Sequence, residues 1–196
     1  MGFIILDRQH VGKPNKPDDL GAYSEICQDH EAHLVAQYFL EVECTLRALG
    51  HHVVTISDGY YSSRHKRANE FFAKAGSASI YLAGHLNAGG GDYSAVFHDH
   101  RSAMGADACQ FIAAQLAKVE GLDNAKSIQA NPTDWTKNAF HTIDGIFSGK
   151  GCGVCLEPFF LDSRYHRHLM NDNGLELVGH AIALGVDAWI RSTKRG

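Results

Sequence analysis

No stretch of this sequence concentrates positive charge. Its 18 Lys and Arg stand against 22 Asp and Glu, a formal net charge of −4, so neutralising a phosphate backbone has no electrostatic basis and nucleic acid is excluded as a partner. No apolar run reaches the roughly 18 to 20 residues that span a bilayer, which argues against stable membrane association. The opening Met-Gly-Phe-Ile-Ile-Leu-Asp enters a strand-like run without the basic region, longer apolar segment and cleavage site of an export signal. The expectation is synthesis in the cytoplasm without a signal peptide. Leu6 stands where an N-myristoylation signal needs Ser or Thr. Five cysteines are an odd number, against a fully paired disulfide framework. Cys152 and Cys155 form a single CxxC without the second pair that a zinc ribbon needs, and they read as buried strand residues. Repeats and low-complexity linkers are also missing, and 196 residues suit one domain, taken as 1–196.

What is present alternates. Residues 3–6 read as a buried strand, and 7–29 as a polar loop of a length that is usually functional. Leu34, Val35, Tyr38, Phe39, Val42, Leu46 and Leu49 recur at helical spacing, with Asp29 placed to N-cap the helix and Gly50 to end it. A strand at 53–57, a helix at 63–75 closed by Gly76, and a strand at 78–84 follow. Gly89–Gly91 is a turn, 93–98 a further strand, 103–119 an amphipathic helix, 151–156 a strand and 175–190 a closing helix; residues 121–150 carry no clear pattern. This order predicts an α/β single domain with a twisted, mainly parallel sheet and helices on both faces.

Thirteen histidines are many for this length, and most are incidental: His51 and His52 lie at a helix-to-strand turn, and His166 and His168 in a polar segment expected to be exposed. His10 and His85 differ because each follows a buried strand, and open α/β sheets place their chemistry at the carboxyl ends of strands. The run Gly153-Val-Cys-Leu delivers Glu157 in the same way. Glu31 opens a helix, where the helix dipole alone would explain an acid. Two imidazoles and a carboxylate nevertheless make a three-ligand set for catalytic zinc, with a fourth position left for water.

In order, Ile-Leu-Asp-Arg-Gln-His10, Gly21-Ala22, Glu31, Gly50-His-His-Val-Val, Arg64-x-x-x-Ala68-Asn69, Gly84-His85-Leu-Asn87-Ala88 and Leu156-Glu157-Pro-Phe-Phe160-Leu161 resemble the zinc-dependent N-acetylmuramoyl-L-alanine amidases of the type 3 family, from residue 3 to about 190. The resemblance implies Zn2+ on His10, Glu31 and His85, Glu157 as the catalytic carboxylate, and Arg64 and Asn69 as structural anchors for the helix before the central strand. Asn87 would shape the pocket rim, and His141 is a candidate donor to an oxyanion. The substrate would be peptidoglycan, cut between N-acetylmuramic acid and L-alanine for cell lysis after phage-type release. The pattern departs at Arg8-Gln9-His10-Val11-Gly12, where the family has Gly-His-Gly-Gly, and at Glu157-Pro158-Phe159-Phe160, where it has Glu-x-Gly-Phe. Glu25 and His30 are alternatives to Glu31 as second ligand. A zinc amidohydrolase or peptidase of soluble acyl-amino acids, and a non-catalytic wall-binding module, are the other classes this pattern allows.

Overall fold

The structure is a computed structural model that describes residues 1–75, 78–146 and 151–193. In chain order its elements are β1 (Phe3–Arg8), a short hairpin of β2 (Tyr23–Ser24) and β3 (Asp29–His30), α1 (Glu31–Ala48), β4 (His52–Ile56), α2 (Tyr61–Lys74), β5 (Ser79–Gly84), β6 (Ala95–Asp99), α3 (Ala103–Leu116), β7 (Lys126–Ala130), α4 (Lys137–His141), β8 (Gly151–Glu157), a 3-10 turn (Arg164–Leu169) and α5 (Asp172–Thr193). Six strands form one sheet in the order β4-β1-β5-β8-β6-β7. Pairing is parallel across β4, β1, β5 and β8, turns antiparallel between β8 and β6, and is parallel again between β6 and β7.

The alternation of side chains along each strand divides the core into two layers. Ile4 and Leu6, Ile80 and Leu82, and Cys152, Val154 and Leu156 pack with the apolar faces of α1, α3 and α5. Ile5, Tyr81, Ala83 and Cys155 face the other way, toward Phe72 of α2 and Ala139 and Phe140 of α4. Helices therefore cover both faces, and strands buried on both sides read as nearly continuous apolar runs. Cys152 and Cys155, three positions apart, lie on opposite faces of β8, so their sulfurs cannot share a metal or a bond; both are free and buried.

Several local expectations are corrected. His30, not Asp29, is the N-cap of α1, and its side chain makes no capping bond; instead the carbonyls of Ala22 and Leu20 accept from the amides of Glu31 (2.8 Å) and Ala32 (3.0 Å). Asp29 accepts from the His30 amide at 2.7 Å and pairs with His33. The loop after β1 contains the β2–β3 hairpin, and residues 121–150 contain β7 and α4. His166 is fully buried, its Nδ1 accepting from the Phe160 amide at 3.1 Å. Gly76, the expected stop of α2, lies outside the described residues.

Candidate metal centre and active-site cleft

The sheet register sets the site. Arg8 pairs with Gly84 and Gly84 with Leu156, at the carboxyl ends of three adjacent parallel strands. His85 and Glu157 are each the next residue along, on neighbouring strands that run about 4.8 Å apart. His10 lies two residues beyond Arg8, in the left-handed region with φ 64°. This conformation is held from behind: the buried Arg64 guanidinium donates to the carbonyls on both sides of His10, those of Arg8 (3.0 Å) and Val11. The same guanidinium pairs with the buried Asp7 carboxylate at 2.5 Å, which also accepts from Tyr81 and Gln9. Arg64 therefore anchors the loop that carries His10, beyond its expected work on α2. Asn69 donates to the Gly145 carbonyl at 2.7 Å.

Glu31 enters from the first turn of α1. Helix and strand come close because Gly84 has no side chain; a Cβ there would meet Phe39 and Val35 at 2.7 Å. Gly21, at φ +72°, lies against Glu31 Oε2, which a Cβ would meet at 2.5 Å. The amides of Ala22 (3.1 Å) and Leu86 (3.0 Å) donate to the two carboxylate oxygens.

Three atoms then converge. His10 Nε2 lies 3.1 Å from His85 Nδ1 and 3.2 Å from Glu31 Oε1, and His85 Nδ1 lies 3.0 Å from Glu31 Oε1. A tetrahedral zinc with bonds of about 2.0–2.1 Å separates its ligand atoms by about 3.3 Å, so this triangle has the size the ion requires. The protonation pattern agrees. His10 Nδ1 faces Asp19 Oδ1 at 3.2 Å, so with its proton there Nε2 turns a lone pair to the centre, the arrangement in which a carboxylate orients a metal-binding imidazole. One proton cannot satisfy three mutual contacts among such atoms, and a cation can. Among the described residues this is the one trio of His, Cys, Asp or Glu that clusters so. Glu25 is exposed and His30 lies outside the triangle.

The local field also favours positive charge. Burial would raise the Glu31 carboxyl, but hydrogen bonds and charge from His10 and His85 hold it well below the usual range. Burial likewise works against Asp19 ionising, yet Lys13, the Gly21 amide and His10 bring it down to about 2. Burial opposes charge on His10, and Glu31 more than compensates, so its proton affinity is raised. Glu157 differs: burial pushes its carboxyl up, His85 only partly opposes this, and the Glu31 charge adds to it.

A cavity of about 410 Å³ opens over the triangle, lined by all three residues, by Glu157, Asn87 and His141, and by Tyr61, Asn138 and Thr142. His141 stands half exposed on the wall, its Nδ1 3.4 Å from Asp144. Asn87 lies at the rim: its amide and carbonyl bond Phe159 and Leu161, and its side-chain oxygen accepts from the Ala88 amide at 2.9 Å. Sequence reading passed over Asp19, Arg64's work on the His10 loop, and Tyr61. Lys13 and Gly21 flanking Asp19 were the available signal, though no spacing rule ties an Asp nine residues on to a histidine.

This topology, with such a site at its strand ends, is the fold of several N-acetylmuramoyl-L-alanine amidases of known structure. Cwp6 from Clostridium difficile superposes with a TM-score of 0.78 at 18% identity over 97% of this chain and 30% of that one. The N-acetylmuramoyl-L-alanine amidase from Clostridium difficile 630 gives 0.74 at 18% identity, covering 97% of both chains, and the catalytic domain of CD27L endolysin, targeting Clostridia difficile, gives 0.65 at 22%, covering 96% and 97%. The chain thus spans under a third of Cwp6 and nearly all of the other two. No family profile and no curated protein sequence matches this chain.

Proposed function

We propose that this protein is a zinc-dependent amidase that hydrolyses the bond between the lactyl group of N-acetylmuramic acid and L-alanine in peptidoglycan. The observation that carries the reading is the 3.0–3.2 Å triangle of His10, His85 and Glu31 atoms beside the Glu157 carboxylate. The amidase fold of the structural neighbours supports the substrate. His10 Nε2, His85 Nδ1 and Glu31 Oε1 would hold the ion. Zinc supplies there a Lewis acid that polarises a carbonyl and lowers the pKa of water to about 7.

The chain's own groups do the rest. Glu157, one strand over from His85, takes a proton from the attacking water and returns it to the leaving amine; a positioned acid/base of this kind is worth about 100- to 10,000-fold. Burial raises its proton affinity, which suits a group that must both accept and donate. Asp19 fixes the His10 ring. Asn87 and His141, on the cleft wall, are placed to contact substrate, His141 as a donor to the oxyanion. The cleft continues beyond the triangle in two directions, which supports a polymeric substrate over a small acyl-amino acid, and Glu157 beside an intact ligand set supports catalysis over wall binding alone. A lytic role is part of the reading, supported by the fold shared with an endolysin domain. No described helix is long and apolar enough to cross a membrane.

Glu157→Gln preserves shape and removes basicity. It should bind zinc in the parent stoichiometry while stem-peptide release from peptidoglycan, followed by mass spectrometry, falls by about two orders of magnitude or more. Parent-level release would remove Glu157 from the mechanism, and loss of zinc would make it a ligand.

A further inference from the structure

From the metal-side cavity the cleft extends into two arms of different chemistry, one past Glu157 and the other past Tyr61 and His141. One, about 370 Å³, shares Asn87, Asn138 and Glu157 with the metal-side cavity and is walled by Tyr93, Phe97 and Trp135. Among the described residues lining it, Glu157 is the one carboxylate and none is a cation, though the Lys126 ammonium stands 5.5 Å from the Tyr93 ring centroid. The other, lined by Lys66, His65, Glu70, His141 and Asp144, carries both signs.

Trp135 is 67% exposed, yet it stands on a fixed turn. Asp134 accepts from the Thr136 amide at 2.8 Å and from Asn131 Nδ2 at 3.2 Å, and Thr136 Oγ1 accepts from the Asn131 amide at 2.7 Å. Its indole meets Phe97 edge to face, with ring centroids 6.0 Å apart. Holding a large aromatic face in water does nothing for the core, and rigid, part-exposed Trp and Tyr are what a binding surface uses. Tyr93 is packed in the same arm against Phe160, edge to face with ring centroids 4.9 Å apart.

We propose that the Trp135–Tyr93 arm is the glycan subsite: a pyranose ring of the strand stacks its apolar C–H face on the Trp135 indole, while Asn87 and Asn138 meet its acetamido and hydroxyl groups. The argument is one of matching chemistry. A glycan strand whose lactyl groups are amide-linked is neutral, rich in hydroxyls and apolar on its ring faces, and suits the arm walled by aromatic rings and amides; a stem peptide carries ammonium and carboxylate groups and suits the arm lined with several charges of both signs. The assignment rests on the amidase reading above and sets the direction in which the substrate lies across Glu157.

The two tryptophans make the test direct, because Trp189 is 1% exposed and serves as a silent reference. Titrating the zinc-loaded protein with a tetramer of N-acetylglucosamine, which presents the same acetamido pyranose rings without a free lactyl carboxylate, should shift the emission of the exposed indole. Trp135→Ala should abolish the shift and weaken binding roughly tenfold by calorimetry, the scale of one lost aromatic contact, with Trp135→Phe in between and zinc content unchanged. Free stem peptide should leave the emission unaltered. Equal glycan affinity in Trp135→Ala, no response to glycan, or a response to stem peptide in its place would each overturn the subsite. The amidase reading fails separately, by absence of stem-peptide release from the parent protein.

Discussion

Asp19 decides which nitrogen of His10 faces the centre. Its carboxylate is held by Lys13 at 3.0 Å and by the Gly21 amide at 3.0 Å, so the acceptor for His10 Nδ1 is fixed by the protein alone. Carboxylates that orient metal-binding imidazoles are typically worth 10- to 100-fold in affinity. Asp19→Ala should therefore leave the fold intact and weaken zinc binding by about that factor, measured by competition with a chromogenic chelator. Parent affinity would show that packing alone sets the His10 ring. The Asp19 role was illegible in the sequence because an orienting acid leaves no spacing signature. His10 and His85 were legible because each follows a run that can only be a buried strand.

At the scale of elements, the connection between α2 and β1 is the one on which the site depends. Arg64 and Asp7 are both fully buried, and removing one partner of such a pair leaves a charge without compensation, at a cost of about 3–5 kcal/mol. Arg64→Ala should lose about that much stability in urea unfolding, and Asp7→Asn in the same chain should recover part of it. Parent stability in the single variant would refute the account. The amino-terminal strand is tied down a second time: His51 Nδ1 accepts from the Gly2 amide at 2.9 Å, so Nε2 carries the proton toward Asp187 on α5, also at 2.9 Å. Burial raises the Asp187 carboxyl, but His51 and Arg191 hold it below its usual value. A depressed folded-state pKa contributes stability above the unfolded value, about 3.9, and loses it as pH falls through the folded one. Asp187→Asn should therefore lower stability at pH 7 and flatten its decline below about pH 4 in denaturant titrations. An unchanged acid limb would show that the carboxylate is not coupled to folding. Among elements, α1 was plain from the spacing of Leu34, Val35, Tyr38, Phe39, Val42 and Leu46. β7 and α4 were not: Lys126–Ala130 buries only Ala130 fully at the sheet edge, and α4 has five residues, too few for a period to show. The reversal of β6 against β8 was also hidden, since apolar runs do not encode strand direction.

Over the whole molecule, the alternation of strands and helices was enough to specify a parallel-rich sheet covered on both faces, because only such a sheet buries Ile80–Ala83 and Cys152–Leu156 from both sides. What the linear pattern does not carry is convergence: the β1 loop, the start of α1 and the end of β5 meet only once the sheet register is set. His166 illustrates the same limit, a fully buried ring within a polar stretch. The opposite facing of Cys152 and Cys155 gives this two-layer construction an experimental handle. One thiol reports on the layer of α1, α3 and α5, the other on that of α2 and α4. With Cys27, Cys44 and Cys109 replaced by Ser or Ala, variants retaining a single β8 thiol can be pulsed with an alkylating reagent at rising denaturant. Cooperative unfolding predicts one midpoint for both thiols. Separate midpoints would show that the sheet sheds one coat of helices before the other, and would say which.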